Sequence, residues 1–247
     1  MHTDCNWHTI AVLASHADFP RSQHENLKTM WTWSLNWNEI TQHIVIGSCP
    51  MRPDDMGRIQ KEAGVSALLS LQHDDCLKYW GIDYPQMQNK AAEIGLTLAR
   101  RPIRDFDITD MRRQLPSAVS GLAALLAQGH RTYVHCTAGL GRSPLVVLGY
   151  LTLVDGRDPE EAIAMILDSR TGAVPAWEAY RGCRYDLVEA NRKKIERRAY
   201  ELYEQGINDD MQADWQQAER EVLRNVLAGR ISACADYPGT NQPACME

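Results

Sequence analysis

The chain has 247 residues, 44% hydrophobic and 23% charged, a balance that suits one globular domain with extensions and excludes a disordered protein. Its net charge of −6 gives no general attraction to nucleic acid or to an anionic membrane, and we expect neither as a partner. No apolar run approaches the roughly 20 residues that a membrane-spanning helix needs.

The cysteines and the first residues bear on the compartment. Seven cysteines, without a C-x-x-C pair or a His/Cys metal spacing, indicate reduced thiols inside a cell. Met1 to Cys5 lack the basic region and the apolar run of a secretory signal. We therefore expect a soluble intracellular protein, a monomer, with no metal ion and no other cofactor.

The amino-terminal part of the chain is weakly patterned as far as residue 30 and is predicted to be a leader segment. Trp31, Trp33 and Trp37 follow at odd-numbered positions, so a strand here would carry all three on one face. Such a face covers a core in most proteins, and in others it is an aromatic platform for a ligand. We favour the first interpretation.

Strands and helices alternate through the middle of the chain. This alternation predicts an α/β fold with a mainly parallel central sheet, flanked on both faces by helices. The segment 72–83 is predicted to be a loop. The strands are predicted at 43–48, 65–71, 96–103 and 132–135, and the helices at 54–63, 85–94, 115–128, 143–154, 158–168 and 176–194.

The carboxyl-terminal part of the chain is charged and strongly helical from residue 193 onward. Apolar side chains recur between residues 211 and 229 at a spacing typical of one helix face, as at Trp215 and Val222. Residues 233–247 contain Pro, Gly and Asn and are predicted to be a loose tail. We therefore expect a helical carboxyl-terminal extension on the α/β domain.

The stretch Tyr133–Pro144 joins a predicted buried strand to a predicted helix through a turn with two glycines. Cys136 opens the turn and Arg142 closes it, which is the spacing of a phosphate-binding cysteine loop. Backbone N–H groups of such a loop surround a phosphoryl group, and the helix directs its positive end at the same point. The guanidinium adds a fork for two more oxygens. The residues predicted to bind phosphate are Thr137, Ala138, Gly139, Leu140, Gly141 and Arg142.

The same groups stabilise a thiolate, so Cys136 is expected to be largely ionised near neutral pH and to act as a nucleophile. Ser143, directly after the arginine, is expected to hydrogen-bond the departing sulfur. His135 is expected to order the loop through a ring N–H, without transferring a proton. The alternative is a structural cysteine in a strand-to-helix turn, with Arg142 as a surface charge.

An acidic segment after the third predicted strand supplies candidates for a general acid, which must protonate the leaving oxygen. We prefer Asp105, because it comes first after the strand and stands beside Phe106. Asp107 is the second choice, and Asp110 is expected to cap the following helix. The same carboxylate would later act as a base and activate water.

Several stretches together match one family: Ile44–Ser48, Lys78–Asp83, Arg104–Asp107 and His135–Arg142. On these residues the chain resembles the plant glucan phosphatases of the starch-excess type. They are relatives of laforin within the dual-specificity branch of the cysteine-dependent phosphatases. The resemblance extends over roughly residues 35 to 228, and it is to the branch that lacks a carbohydrate-binding module.

The resemblance implies that the chain removes phosphate monoesters from glucose units of a phosphorylated, amylopectin-like α-glucan. It assigns the nucleophile to Cys136, the phosphate clamp to Arg142 and the general acid to Asp105. It suggests a plastid as the compartment, with the cytoplasm as the alternative. It also implies a division into a leader (1–30), a phosphatase domain (31–192, with a recognition segment at 31–80), a helical motif packed on that domain (193–232) and the tail (233–247).

The resemblance also implies an aromatic channel for the glucan, formed in part by Tyr79, Trp80 and Phe106. Flat rings stack on the apolar C–H faces of sugars at little conformational cost. Trp31 or Trp33 is expected to replace the tyrosines of the recognition segment. The alternative for Tyr79 and Trp80 is a pair at the edge of the core beneath a loop.

Some positions depart from the family pattern. Ala99, Ala124 and Asp209 differ from the residues expected at secondary glucan sites, so those sites are not predicted. Ser70 stands where some members carry a regulatory cysteine, so that redox switch is not predicted either.

Three other functions compete with a glucan phosphatase. A dual-specificity phosphatase acting on Ser, Thr and Tyr of proteins is the main alternative, and Ser143 fits that general pattern. A phosphoinositide phosphatase is expected to carry lysine in the loop, where this chain has Ala138 and Leu140. A non-catalytic glucan-binding scaffold would not need the cysteine, arginine and aspartate together.

Overall fold

The computed structural model describes residues 33–208 and 210–235, and five strands and eight helices lie within them. The strands are β1 (Trp37–Thr41), β2 (Ile44–Gly47), β3 (Ala67–Gln72), β4 (Thr97–Ile103) and β5 (Thr132–His135). The helices are α1 (Pro53–Glu62), α2 (Asp74–Trp80), α3 (Tyr84–Glu93), α4 (Ile108–Ala127), α5 (Arg142–Leu153), α6 (Pro159–Ser169), α7 (Trp177–Gln205) and α8 (Met211–Ala235).

The strands form one sheet in the order β1-β2-β5-β3-β4. Four strands are parallel: β2, β5, β3 and β4. The edge strand β1 pairs antiparallel with β2. The predicted mainly parallel α/β sheet is therefore confirmed. β5 is the central strand, so the segment after it lies at the carboxyl edge of the sheet, where ligands bind in folds of this class.

The two faces of the sheet bury separate clusters, because successive side chains of a strand point to opposite sides. On one face Leu68 and Tyr133 pack against the short helices α1 to α3. On the other face Leu69 and Val134 pack against α4, α5 and α6. The sheet is thus covered on both faces, as the alternation of elements predicts.

The carboxyl-terminal helices α7 and α8 pack on each other and on α4. Ile195, Leu202 and Ala218 form a small buried cluster between α7 and α8. The Ser120 hydroxyl on α4 donates a hydrogen bond to the carbonyl of Leu227 on α8 at 3.2 Å. The helix predicted at 176–194 continues to Gln205, so α7 is longer than the sequence indicated.

The predicted strand with three tryptophans on one face is wrong. β1 begins only at Trp37, and Trp33 precedes it; Trp31 lies outside the described residues. Before β1 the chain is joined to the residues after β2 by a backbone hydrogen bond, from Ser48 N–H to the carbonyl of Asn36 at 3.0 Å, and by a bond to a side chain, from the Asn36 backbone N–H to the Ser48 hydroxyl at 3.0 Å. Trp33 is half-buried, and its indole N–H donates to the carbonyl of Cys49 at 3.2 Å.

The predicted loop at 72–83 is also wrong, because most of it is the helix α2. His73 caps the first turn by accepting from the backbone N–H of Asp75 at 3.3 Å. Gly81 ends the helix with φ +65, a left-handed value that glycine adopts at no steric cost. Seven residues are too few for a clear helical period.

The helix predicted to begin near Pro116 begins instead at Ile108 and carries the proline inside it. Asp107 is the capping residue, and its carboxylate accepts from the backbone N–H of Asp110 at 2.8 Å. Asp110, which was expected to be the cap, is a buried residue of the first turn. A good capping residue thus outweighs the preference of proline for a first turn.

Candidate active site

The segment between β5 and α5, Cys136–Gly141, forms the phosphate loop. Gly139 has φ +73, and a Cβ on it would lie 2.3 Å from the carbonyl oxygen of Gly47. No other residue fits there. Gly141 has φ −111 and caps α5, so the conformational demand falls on Gly139 and not on both glycines.

The thiol of Cys136 is buried, with 3% of the residue exposed. Burial on its own raises its pKa, but the nearby charge of Arg142 and hydrogen bonds from Ser143 together lower the pKa below the ordinary cysteine value. The backbone N–H of Gly139 also donates to the sulfur at 3.3 Å. The loop therefore favours a thiolate at this position.

Arg142 is fully buried at the first position of α5. Its Nη1 donates to the carbonyl of Ile103 at 2.9 Å, where β4 ends. Its Nη2 donates to Asp105 Oδ2 at 2.5 Å and to the Thr137 hydroxyl at 3.2 Å, while its Nε has no partner among the described residues. The guanidinium is thus held at the edge of the sheet beside the thiol, and the alternative of a surface charge is excluded.

Asp105 lies on the segment between β4 and α4, and a third of its side chain is exposed. Burial raises its pKa above the ordinary aspartate value, against the opposing effect of Arg142. A carboxyl group with a raised pKa retains a proton to higher pH. The next residue, Phe106, is 71% exposed and has φ +59, a strained value for an aromatic residue.

Ser143 follows the arginine and is completely buried. Its hydroxyl helps to lower the pKa of Cys136 and hydrogen-bonds to no other group among the described residues. The structure therefore places beside the sulfur a donor that has no competing partner.

His135 ends β5 and is buried behind the phosphate loop. Its Nδ1 lies 3.1 Å from the carbonyl oxygen of Cys136, which only accepts, so this nitrogen carries the proton. Burial lowers the pKa of His135 to about 4, and the ring is neutral near pH 7. It orders the loop from behind.

Acid is expected to destabilise the fold through His135. Its folded-state pKa lies below the ordinary value of 6.5. Its contribution to the free energy of unfolding is therefore complete above pH 6.5 and is lost as the pH falls toward 4. That contribution is about 3 kcal/mol. Urea unfolding at pH 7.5 and 4.5 measures it, and His135→Asn should remove most of this contribution. His43→Asn, at an exposed position, is the control; equal pH dependence in both variants would contradict the assignment.

Two of the aromatic residues predicted to bind substrate, Tyr79 and Trp80, lie on α2, the helix that contacts Arg142. Cys76 on α2 contacts Arg142 Nη1 at 3.3 Å, and Tyr79 and Trp80 follow it at helix spacings of three and four residues, on the same side. Their rings meet edge to face with centroids 5.1 Å apart, and Tyr79 is 53% exposed.

Sequence reasoning missed one side chain that contacts the loop directly. Arg170, the last residue of the α6 cap, is 3% exposed and donates from Nε to the carbonyl of Gly139 at 2.6 Å. It stands 34 residues beyond Cys136 and two residues after the helix predicted at 158–168, and nothing in its local pattern marks it. Within the described ranges no group of His, Cys, Asp and Glu side chains could hold a metal ion.

The sequence of residues 58–182 matches the family described as "Dual specificity phosphatase, catalytic domain". The match takes in just over half of the 247 residues. The chain belongs to this family.

Among individual proteins, the chain is similar to "Phosphoglucan phosphatase DSP4, amyloplastic" of Castanea sativa, with 36% identity over 163 residues, 65% of this chain and 43% of that protein. It is also similar to laforin of Mus musculus, with 33% identity over 133 residues, 50% of this chain and 40% of laforin. The chain spans less than half the length of these two relatives.

One solved structure supports the fold. The crystal structure of Tk-PTP in the active form superposes with a TM-score of 0.50 at 21% identity, over 60% of this chain and 94% of that one. No helix in the described part of the chain has the length and apolar character of a membrane span.

Proposed function

We propose that this chain hydrolyses phosphate monoesters on starch-like glucans through a cysteinyl-phosphate intermediate. The observation that carries the proposal is the trio at the carboxyl edge of the sheet. A thiol with a lowered pKa and a carboxyl group with a raised pKa share one buried guanidinium. The printed names of the relatives, phosphoglucan phosphatase above all, support the substrate class.

In the first step the Cys136 thiolate attacks phosphorus, and an S–P bond forms as the P–O bond to the sugar breaks. Asp105 gives its proton to the leaving oxygen, so a neutral alcohol departs. Loop N–H groups and Arg142 hold the equatorial oxygens, which carry most of the charge in the transition state. Asp105 is then a carboxylate.

In the second step water attacks the phosphocysteine, and Asp105 takes the proton that the water loses. An O–P bond forms, the S–P bond breaks, and the thiolate returns. The Ser143 hydroxyl, buried beside the sulfur and without a competing partner, stabilises that thiolate as it departs. Inorganic phosphate is released.

Phosphate release from solubilised amylopectin, measured with malachite green against a phosphopeptide panel, tests the substrate class. The glucan is expected to be the better substrate, with Cys136→Ser as the blank. Equal or higher activity on phosphotyrosine or phosphothreonine peptides would assign the chain to the protein phosphatases of the same family.

Removing the ring of Tyr79 is expected to lower activity on the glucan polymer and to leave activity on a small substrate unchanged. Tyr79→Ala should lower kcat/KM on solubilised amylopectin by about tenfold, the effect of one lost stacking contact. It should leave kcat/KM on p-nitrophenyl phosphate within about twofold, because the ring lies outside the phosphate loop. Tyr200→Ala, at an equally exposed position on α7, is the matched control and should change neither value. A parallel loss on both substrates would contradict a role in glucan binding.

The compartment, assembly and domain limits are also proposals. The words amyloplastic and chloroplastic in the names of relatives support a plastid. We propose a monomer, which light scattering would test. We also propose a phosphatase domain at 31–192 with a helical motif at 193–232 packed on it. The hydrogen bond between Ser120 and Leu227 supports this packing.

A further inference from the structure

The carbonyl groups of the phosphate loop are all held by hydrogen-bond donors. A carbonyl and the N–H that follows it lie in one peptide plane and point in opposite directions. Fixing the carbonyl oxygens away from the sulfur therefore turns the amides toward it. The donors, for Cys136 through Gly141 in order, are His135 Nδ1 at 3.1 Å, Cys49 N at 2.9 Å, Arg170 Nη2 at 2.9 Å, Arg170 Nε at 2.6 Å, Val174 N at 2.7 Å and Leu145 N at 3.1 Å.

Arg170 supplies two of these donors to adjacent carbonyls, those of Ala138 and Gly139. No other side chain in the described part of the chain donates to two carbonyls of the phosphate loop. Its planar fork has the fixed spacing that two neighbouring oxygens require. Gly139 makes the approach feasible, because a Cβ there would stand 2.9 Å from Arg170 Nη2.

The other side of the Arg170 guanidinium faces the segment that leads into β1. Nη1 donates to Asn38 Oδ1 at 2.8 Å, and Nη2 donates to Asn36 Oδ1 at 2.9 Å. One buried cation thus connects the end of α6, the phosphate loop and the edge of the sheet. The connection continues outward, since Asn36 donates from its own amide to the carbonyl of Ser34, beside Trp33.

The charge of Arg170 has no carboxylate partner among residues 33–208 and 210–235. Burial lowers its pKa, and the negative charges of Tyr133 and Cys136, when ionised, oppose that effect. A guanidinium nevertheless stays protonated in proteins. Amide and carbonyl dipoles therefore compensate the cation, and the Cys136 thiolate is the anion that benefits from its field.

We propose that Arg170 is a positioning residue for the reaction, which holds the amides of the phosphate loop toward the phosphoryl group and which is itself set by Asn36 and Asn38. It touches neither substrate nor sulfur. The inference rests on the proposed function for its chemistry, but it concerns the loop and not the choice of substrate. A contact that merely stabilised the fold would leave the titration of the thiol and the affinity for an oxyanion unchanged.

Arg170→Lys tests the role, because lysine keeps the charge and loses the fork. We expect kcat on p-nitrophenyl phosphate to fall by about 100-fold, the usual consequence of a misplaced site. Competitive inhibition by vanadate should weaken, and the pH at which Cys136 becomes reactive to iodoacetamide should rise. Arg192→Lys, at an exposed position on α7, is the matched control and should match the wild type in all three.

A second variant keeps the test decisive if Arg170→Lys does not fold. Asn36→Ala combined with Asn38→Ala retains the arginine and both loop contacts and removes its outer support. The same three quantities should change in the same direction, by less than in Arg170→Lys. Wild-type vanadate inhibition and thiol titration in the folded double variant would overturn the proposal. These readouts do not involve glucan, so a failure of the glucan assignment would leave them unaffected.

Discussion

Cys136→Ser is expected to abolish turnover on every phosphate monoester, with a loss of kcat on the order of 10⁵-fold, as for removal of other enzymatic nucleophiles. The reason lies in the pKa of the group. The loop favours an anion at this position by lowering the pKa of a thiol, and a serine hydroxyl starts so far above it that almost none ionises at neutral pH. Phosphate release with malachite green and single-turnover trapping of the phosphoenzyme measure the loss.

Binding is the control for this variant, since serine preserves the shape of the loop and all of the donors. Cys136→Ser should bind phosphorylated glucan at least as well as the wild type does, in a co-sedimentation assay. Cys183→Ser, which changes another buried thiol, on α7, should retain activity. Substantial turnover by Cys136→Ser would show that another group is the nucleophile.

Asp105→Asn is expected to lower kcat on sugar phosphates by about 10²- to 10⁴-fold, the range for removal of a general acid. A sugar alkoxide is a poor leaving group and needs the proton, whereas p-nitrophenolate leaves without one. The loss on p-nitrophenyl phosphate should therefore be much smaller. The measurement is the ratio of the kcat loss on sugar phosphates to the kcat loss on p-nitrophenyl phosphate.

The pH dependence of activity on sugar phosphates provides a second test of Asp105. The proposed mechanism requires a protonated Asp105, so activity is expected to fall as the pH rises through the pKa of that group, which burial has raised. Asp105→Asn should remove this alkaline limb for sugar phosphates. Asp107→Asn is the matched control, because asparagine caps a helix as well as aspartate does and α4 should remain intact. A larger loss in Asp107→Asn than in Asp105→Asn would transfer the role to Asp107.

The parts of the fold that follow from local chemistry were predictable from the sequence. The alternation of apolar strands with helices predicted the parallel sheet, and the spacing of Cys136 and Arg142 predicted a loop at its carboxyl edge. The structure confirms the sheet and shows the buried guanidinium beside the thiol. Residue type, spacing and chain direction determine these features, and a sequence displays all three.

Competition between neighbouring signals accounts for the errors. At the start of α4, Pro116 suggested a first turn, but the cap at Asp107 lies further upstream and decides where the helix begins. Around Trp33 the alternation of tryptophans indicated a strand, but the Asn36 backbone N–H donates to the Ser48 hydroxyl and the Asn36 side-chain amide donates to the carbonyl of Ser34. Patterns of side-chain polarity do not record such hydrogen bonds.

Long-range contacts were beyond the reach of the sequence. Arg170 lies more than 30 residues from each loop carbonyl and more than 130 from Asn36 and Asn38 along the chain. Folding alone brings these groups together. The ion pair between Asp105 and Arg142 was partly predictable. The sequence suggested that the two residues lie close together, and the structure gives the distance of 2.5 Å.

The state of the Cys136 thiol is the central claim, and the pH dependence of its alkylation by iodoacetamide, followed by mass spectrometry of the Cys136 peptide, tests it most directly. We predict that the midpoint lies below the ordinary value of 9.0 and that inorganic phosphate protects the thiol. A midpoint at or above 9.0, or alkylation that phosphate does not slow, would contradict the account.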